Sequence, residues 1–150
     1  MNKNVTKSTW YADGLRFACT RCGNCCGGAP GYVWVSHEEM VEIARFCGMP
    51  LAQFQQQHVR RIGLAYSLLE LENGDCEFLI RTPDGLSGCS IHPVRPLQCR
   101  TWPFWGSNLE SRRSWSSAAK HCPGMNQGDH YPLEVIQDCL RRNDEAELPL

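Results

Sequence analysis

Long apolar runs are missing from this chain. None of its 150 residues lies in a stretch approaching the roughly 18 apolar side chains that a membrane-spanning helix needs. The first twenty residues, MNKNVTKSTWYADGLRFACT, also lack the apolar core of a secretory leader. The expectation is a cytoplasmic chain with reduced thiols. Excess charge of one sign is absent too. Fifteen Lys and Arg against sixteen Asp and Glu leave a net charge of −1, so no bulk field gathers nucleic acid or an anionic membrane. Lysine is scarce, at Lys3, Lys7 and Lys120 only, and the remaining twelve cations are arginine, a weak bias toward forked anion contacts. There is no G-x-G-x-x-G, and Gly27-Gly28-Ala29-Pro30-Gly31 lacks the lysine of a phosphate cradle. The C-x3-C-x2-C spacing of radical-SAM clusters is missing, and no Cys–His–Asn set stands apart as a nucleophile.

Cysteine is what the chain does have. Its ten cysteines in 150 residues fall just below the roughly 8–10% that marks a disulfide scaffold. They still exceed what packing alone would use. The apolar fraction of 42% is slightly under the usual 45–50% or so, which suggests a modest core that something else helps to hold. In a reducing compartment, clustered cysteines are metal ligands or redox centres before they are disulfides.

Four of them form Cys19-Thr-Arg-Cys22-Gly-Asn-Cys25-Cys26. An x2 pair can wrap an ion in a tight turn, with Gly23 relieving the crowding of that turn. The C-x2-C-x2-C series repeats the spacing with which bacterial ferredoxins hold three irons of one cubane, and Cys122-Pro123 has the form of the distant fourth ligand. Cys76, Cys89, Cys99 and Cys122 lie downstream. Adjacent residues direct their Cβ atoms differently, so Cys25 and Cys26 are expected to serve different centres. The N-terminal group then supplies three ligands to one centre and one to another, and the downstream four complete both. Cys47 and Cys139 fall on apolar faces of expected helices and are expected in the core. All-thiolate ligation suits zinc or iron–sulfur and disfavours magnesium or calcium. The triple series leans toward an iron–sulfur cluster, the C-x2-C-G knuckle toward zinc, and a disulfide framework comes last.

Helix signals are clearest over Val35–Cys47, where Ser36 and Glu39 make a capping box and Gly48 and Pro50 stop the helix. A short helix is expected from Pro50, with Leu51 and Phe54 inward. Residues 65–71 and 76–80, joined at Asn73-Gly74, are expected to form a hairpin. Residues 86–131 show little periodicity. Pro132–Glu147 places Leu133, Ile136, Cys139 and Leu140 on one helical face. The expectation is a small single α+β domain, loop-rich, with short helices and a β-hairpin organised around cysteine-ligated metal. Residues 1–16 would form an extension, 17–131 the metal-binding domain, and 132–150 a C-terminal amphipathic helix packed on it.

These residues resemble the YkgJ-like CxxCxxCC cysteine-cluster family, a zinc- or iron-chelating domain. The matching pieces are Phe17-Ala-Cys19 to Cys26, the Ser36–Glu39 helix start, Cys76-x-Phe78-Leu79 and Cys89-Ser-Ile91-His92. They continue through Arg95-Pro96-x2-Cys99-Arg100-x-Trp102-Pro103-Phe104 to Cys122-Pro123-Gly124. The resemblance implies ligation by Cys19, Cys22, Cys25, Cys26, Cys76, Cys89, Cys99 and Cys122, leaving Cys47 and Cys139 out. Arg95 and Arg100 would hold the negative charge around a tetrathiolate site, or simply pair with carboxylates. His92 and His121 are reserve ligands, and His37 is expected in solvent. The expected function is an iron–sulfur protein, with one or two all-cysteine centres, in electron transfer, redox sensing or metal handling, with an unknown protein or redox partner. A zinc-stabilised interaction module is the alternative. A protein-modifying enzyme, related to the flagellin lysine methylase that carries a similar cysteine pattern, is remote, since no methyl-donor site stands out.

Overall fold

A computed structural model describes residues 9–25 and 32–150 of the chain. In chain order the elements are β1 (Leu15–Phe17), β2 (Val33–Val35), α1 (His37–Phe46), α2 (Leu51–His58), β3 (Val59–Ile62), β4 (Ala65–Leu68), β5 (Leu79–Arg81) and β6 (Ser87–Cys89). A 3-10 turn (His92–Val94) is followed by α3 (Leu97–Thr101), α4 (Gly106–Leu109), α5 (Arg112–Ala119), β7 (Asp129–Tyr131) and α6 (Leu133–Glu145). Short helices and small antiparallel sheets make this an α+β protein, the class expected. The chain divides into two units, Gly23–Arg100 and Met1–Cys22 with Thr101–Leu150. Among the described residues no helix is long and apolar enough to cross a membrane.

In the unit Gly23–Arg100, α1 forms as its caps dictate. Ser36 Oγ accepts from Glu39 N, and Glu39 Oε1 accepts from Ser36 N. Gly48, at φ +69°, closes the other end, with Gly48 N bonded to Arg45 O and Met49 N to Ala44 O. Met40, Ile43 and Ala44 face inward and meet Phe54 of α2, Val35, Leu68, Phe78 and Ile91. β4 lies between β2 and β3 in a three-stranded antiparallel sheet, and β5 pairs with β6.

The hairpin expected between 65–71 and 76–80 is replaced by two others. β4 already has a partner on each edge, β2 and β3, so a third strand has nowhere to bond. β5 pairs instead across the Thr82–Leu86 turn, where Gly85 has φ +82°. The turn at Asn73-Gly74 closes only the single bridge Glu70↔Cys76. β3 gives no alternation in the sequence because its centre is Arg60-Arg61. Arg60 is held by Glu70 at 2.9 Å and lies over the Tyr32 ring at 5.0 Å.

The other unit is built on aromatic packing. Tyr11, Phe104, Leu109, Trp115, Met125 and Ile136 are buried together, with Trp10, Phe17, Trp102 and Tyr131 against them. Trp10 and Tyr11, expected in an extension, are thus part of this cluster. Phe104 stacks on Trp115 with ring centroids 6.0 Å apart. β1 pairs with β7, and α6 turns Ile136 fully inward with Leu133, Cys139 and Leu140 beside it. Residues 86–131, expected without regular structure, hold short helices. α5 starts at a Ser111 cap bonded to Ser114 N and buries only Trp115, too little to leave a periodic trace.

Candidate metal centre

Four cysteines of the unit Gly23–Arg100 lie within electrostatic reach of one another, each on a different segment. Cys25 follows Gly23, whose φ is +79° and whose backbone lies so close to β6 that a Cβ there would stand 2.6 Å from Ser87 Oγ. That approach brings the loop onto the strand that ends at Cys89. Cys76 sits at the bridge with Glu70, Cys89 pairs with Leu79, and Cys99 lies in α3 with its N–H bonded to Pro96 O.

Burial pushes the Cys99 thiol up to about 12, and the charges of Cys76, Cys89 and Cys25 add to it, while Arg95 works the other way. Burial also raises Cys76, offset by the Phe78 backbone N–H, with Cys89, Glu77 and Cys25 raising it further. Cys89 is raised by burial and by Cys25, and lowered by the Ile91 N–H and by Arg95. A repeated local device emerges: the N–H two residues on points at the sulfur at Cys76 and Cys89, and also at Cys19, where Arg21 N donates to Sγ at 3.4 Å. Such bonds favour the thiolate.

This donor set fits a soft cation. Four sulfurs that repel one another as thiolates, three of them where burial disfavours bare charge and Cys25 exposed, are relieved together by a positive centre. Among the described residues no three His, Cys, Asp or Glu side chains are gathered closely enough to hold an ion as they stand. The nine described cysteines carry no disulfide.

Cys19, Cys22 and Cys122 belong to the other unit. There Ala18 N bonds Gly124 O at 3.0 Å and Phe17 bridges Met125. The next residues along those two segments are Cys19 and the Cys122-Pro123 step. A Cβ at Gly124 would stand 1.9 Å from Ala18 O, so only glycine permits this approach. Cys26 lies outside the described residues. The two arginines separate: Arg95 acts on Cys89 and Cys99, whereas Arg100 reaches Glu39 at 3.9 Å and Arg95 O at 3.1 Å. His37, His92 and His121 are exposed. Cys139 packs in the aromatic cluster as expected, but Cys47 is exposed. The C-cap of α1 falls on Cys47 and turns it away from the buried stripe of Met40, Ile43 and Ala44. Neither the Gly23–Ser87 approach nor the His58–Glu77 pair beside Cys76 has a local signature, because both are contacts between segments distant in the chain.

Residues 18–123 match the CxxCxxCC family, described as "Putative zinc- or iron-chelating domain". An archaeal protein, "Uncharacterized protein MJ0661" of Methanocaldococcus jannaschii, is 31% identical over 103 residues, 69% of this chain and 52% of that one. The chain thus spans about half the length of that curated relative. No solved structure matches it. The ordered cysteines, the soft donor set and a match over most of the length agree: the chain belongs to the CxxCxxCC zinc- or iron-chelating family, and metal binding is the property it shares.

Proposed function

We propose that this chain is an iron–sulfur protein in which Cys25, Cys76, Cys89 and Cys99 hold an all-cysteine centre for electron transfer or redox sensing. The observation that carries the reading is that Cys76, Cys89 and Cys99, half-buried on three separate segments, each have a thiol held protonated in part by the charge of exposed Cys25 on a fourth. No two of them stand at the two-to-four-residue spacing typical of structural zinc pairs. The ferredoxin-like series breaks between the units after Cys22, so the choice of metal does not rest on that parallel. Backbone N–H bonds to Cys76 and Cys89, and the Arg95 cation, are the features by which a protein tunes the potential of a cluster. When bound, the cluster would supply one-electron redox chemistry. The protein's part is to set its charge and exclude water, with Phe78 and Ile91 buried beside the ligands. One observation favours zinc as a second reading. The Cys19–Gly23 turn, with Arg21 N bonded to Cys19 Sγ and Gly23 at φ +79°, suits a C-x2-C-G zinc knuckle.

Anaerobic purification decides between them. Iron–sulfur predicts a brown protein with visible charge-transfer absorption and acid-labile sulfide, both lost in Cys89→Ala and kept in Cys47→Ala. A colourless protein with stoichiometric zinc overturns the choice of metal. Equal metal loss from both variants overturns the ligand assignment.

A further inference from the structure

We infer that Gln98 and Glu39 are positioning residues of this centre. Together they fix α3, and with it Cys99, against the strand that follows the Cys25 loop. The inference rests on Cys25, Cys76, Cys89 and Cys99 forming one centre. α3 has five residues, and a helix of little more than one turn has almost no stability of its own. Its place is therefore set by what grips it. Gln98 is 8% exposed, and both ends of its amide are used on one strand: Nε2 donates to Tyr32 O at 2.9 Å, and Oε1 accepts from Trp34 N at 3.0 Å. β2 is an edge strand, paired with β4 on its other side. Gln98 takes the donor and acceptor that a further strand would take, so it anchors α3 to the sheet through the sheet's own bonding pattern.

Glu39 completes the grip from the opposite flank of Cys99. Its Oε1 caps α1, while Oε2 accepts from Leu97 N, an orphan donor at the start of α3, at 2.6 Å. The same carboxylate lies 3.9 Å from Arg100. Leu97, Gln98 and Arg100 thus bracket Cys99 on both sides, and the partners that hold them here, Tyr32, Trp34 and Glu39, come from the segment 32–39, which begins seven residues after Cys25. Metal–sulfur bonds tolerate displacements of only about 0.2 Å. A grip that locates the Cys99 backbone relative to that segment therefore governs how well the fourth sulfur reaches the ion, although neither side chain touches it.

The test uses cobalt(II), loaded anaerobically into the full chain, because its sulfur-to-metal absorption reports the number and placement of thiolates whichever metal is native. Transfer to a chelator is then timed. Gln98→Leu should release cobalt about tenfold faster or more, in the range seen when outer partners of metal ligands are removed, with an altered sulfur-to-metal band. Glu39→Gln should change both in the same direction. Ser67→Ala is the structural control. It removes a buried hydroxyl that accepts from Val33 N of the same strand but does not reach α3, and it should leave rate and band unchanged. Should Gln98→Leu fail to fold, Gln98→Glu keeps the shape and the acceptor for Trp34 while losing the donor to Tyr32, and should still release faster. Gln98 and Glu39 variants that release at the Ser67→Ala rate with an unaltered band overturn the inference, provided Cys99→Ala itself weakens binding. Unchanged binding in Cys99→Ala removes the four-cysteine centre, and the inference falls with it.

Discussion

The unit Gly23–Arg100 is packed with Met40, Ile43, Phe54, Leu68 and Ile91, and Cys76 and Cys89 lean directly on that cluster. The other unit is packed with Tyr11, Phe104, Trp115 and their aromatic neighbours. The contrast shows two ways to hold a short chain. Aromatic side chains bury large areas and close a core by themselves. In the first unit Cys76 and Cys89 belong to the packing, and Cys76, Cys89 and Cys99 raise proton affinity among themselves, so their protonation and the fold are coupled.

Stripping the metal should break that contrast most strongly. Structural metal contributes on the order of 10–16 kcal/mol in small zinc domains. After chelation, hydrogen exchange should therefore accelerate in α1 and β4 far more than around Trp115. Equal acceleration in both units would show that the aromatic cluster depends on metal as well. The converse experiment is Trp115→Ala, a deletion at a position 4% exposed, expected to cost about 3–5 kcal/mol in a denaturant titration while metal content stays at the wild-type stoichiometry.

A pH titration sharpens the difference. The Cys99 thiol is held neutral up to about 12, so in metal-free protein its contribution to stability is present in full below the ordinary thiol range. It is lost as pH rises from there toward about 12, because the unfolded chain gives up its proton first. The denaturation midpoint of metal-free protein should fall across that window. Metal-loaded protein, its sulfurs already deprotonated, should not follow it. The smallest effect is expected at Gly23→Ala, where the positive φ costs about 1 kcal/mol and the new Cβ meets Ser87 Oγ. Metal release should quicken, and Gly23→Ala with Ser87→Gly should recover the part due to the collision but not the part due to φ.

Much of this was legible in advance where the cause is local. The capping box at Ser36–Glu39, the stop at Gly48 and the inward stripe of α6 are set by residues within a turn or two, and they form as their spacing requires. The strand partners were not legible. β4 reads as half a hairpin with the segment after it, yet takes β3 and β2, because pairing is decided by which edges remain open and not by the strand's own residues. Arg95 and Arg100 look alike in sequence, and only the fold directs one to the sulfurs and the other to Glu39.

Cysteine number and order were enough to mark this chain as a metal binder, the property of its family, since ligand chemistry belongs to the residues themselves. Which sulfurs stand together was decided by the tertiary structure. Cys25 and Cys99 come within electrostatic reach of each other where Gly23 approaches Ser87 of β6 and a buried glutamine holds a one-turn helix to an edge strand, and closure between distant segments is a property of packing that no local pattern encodes.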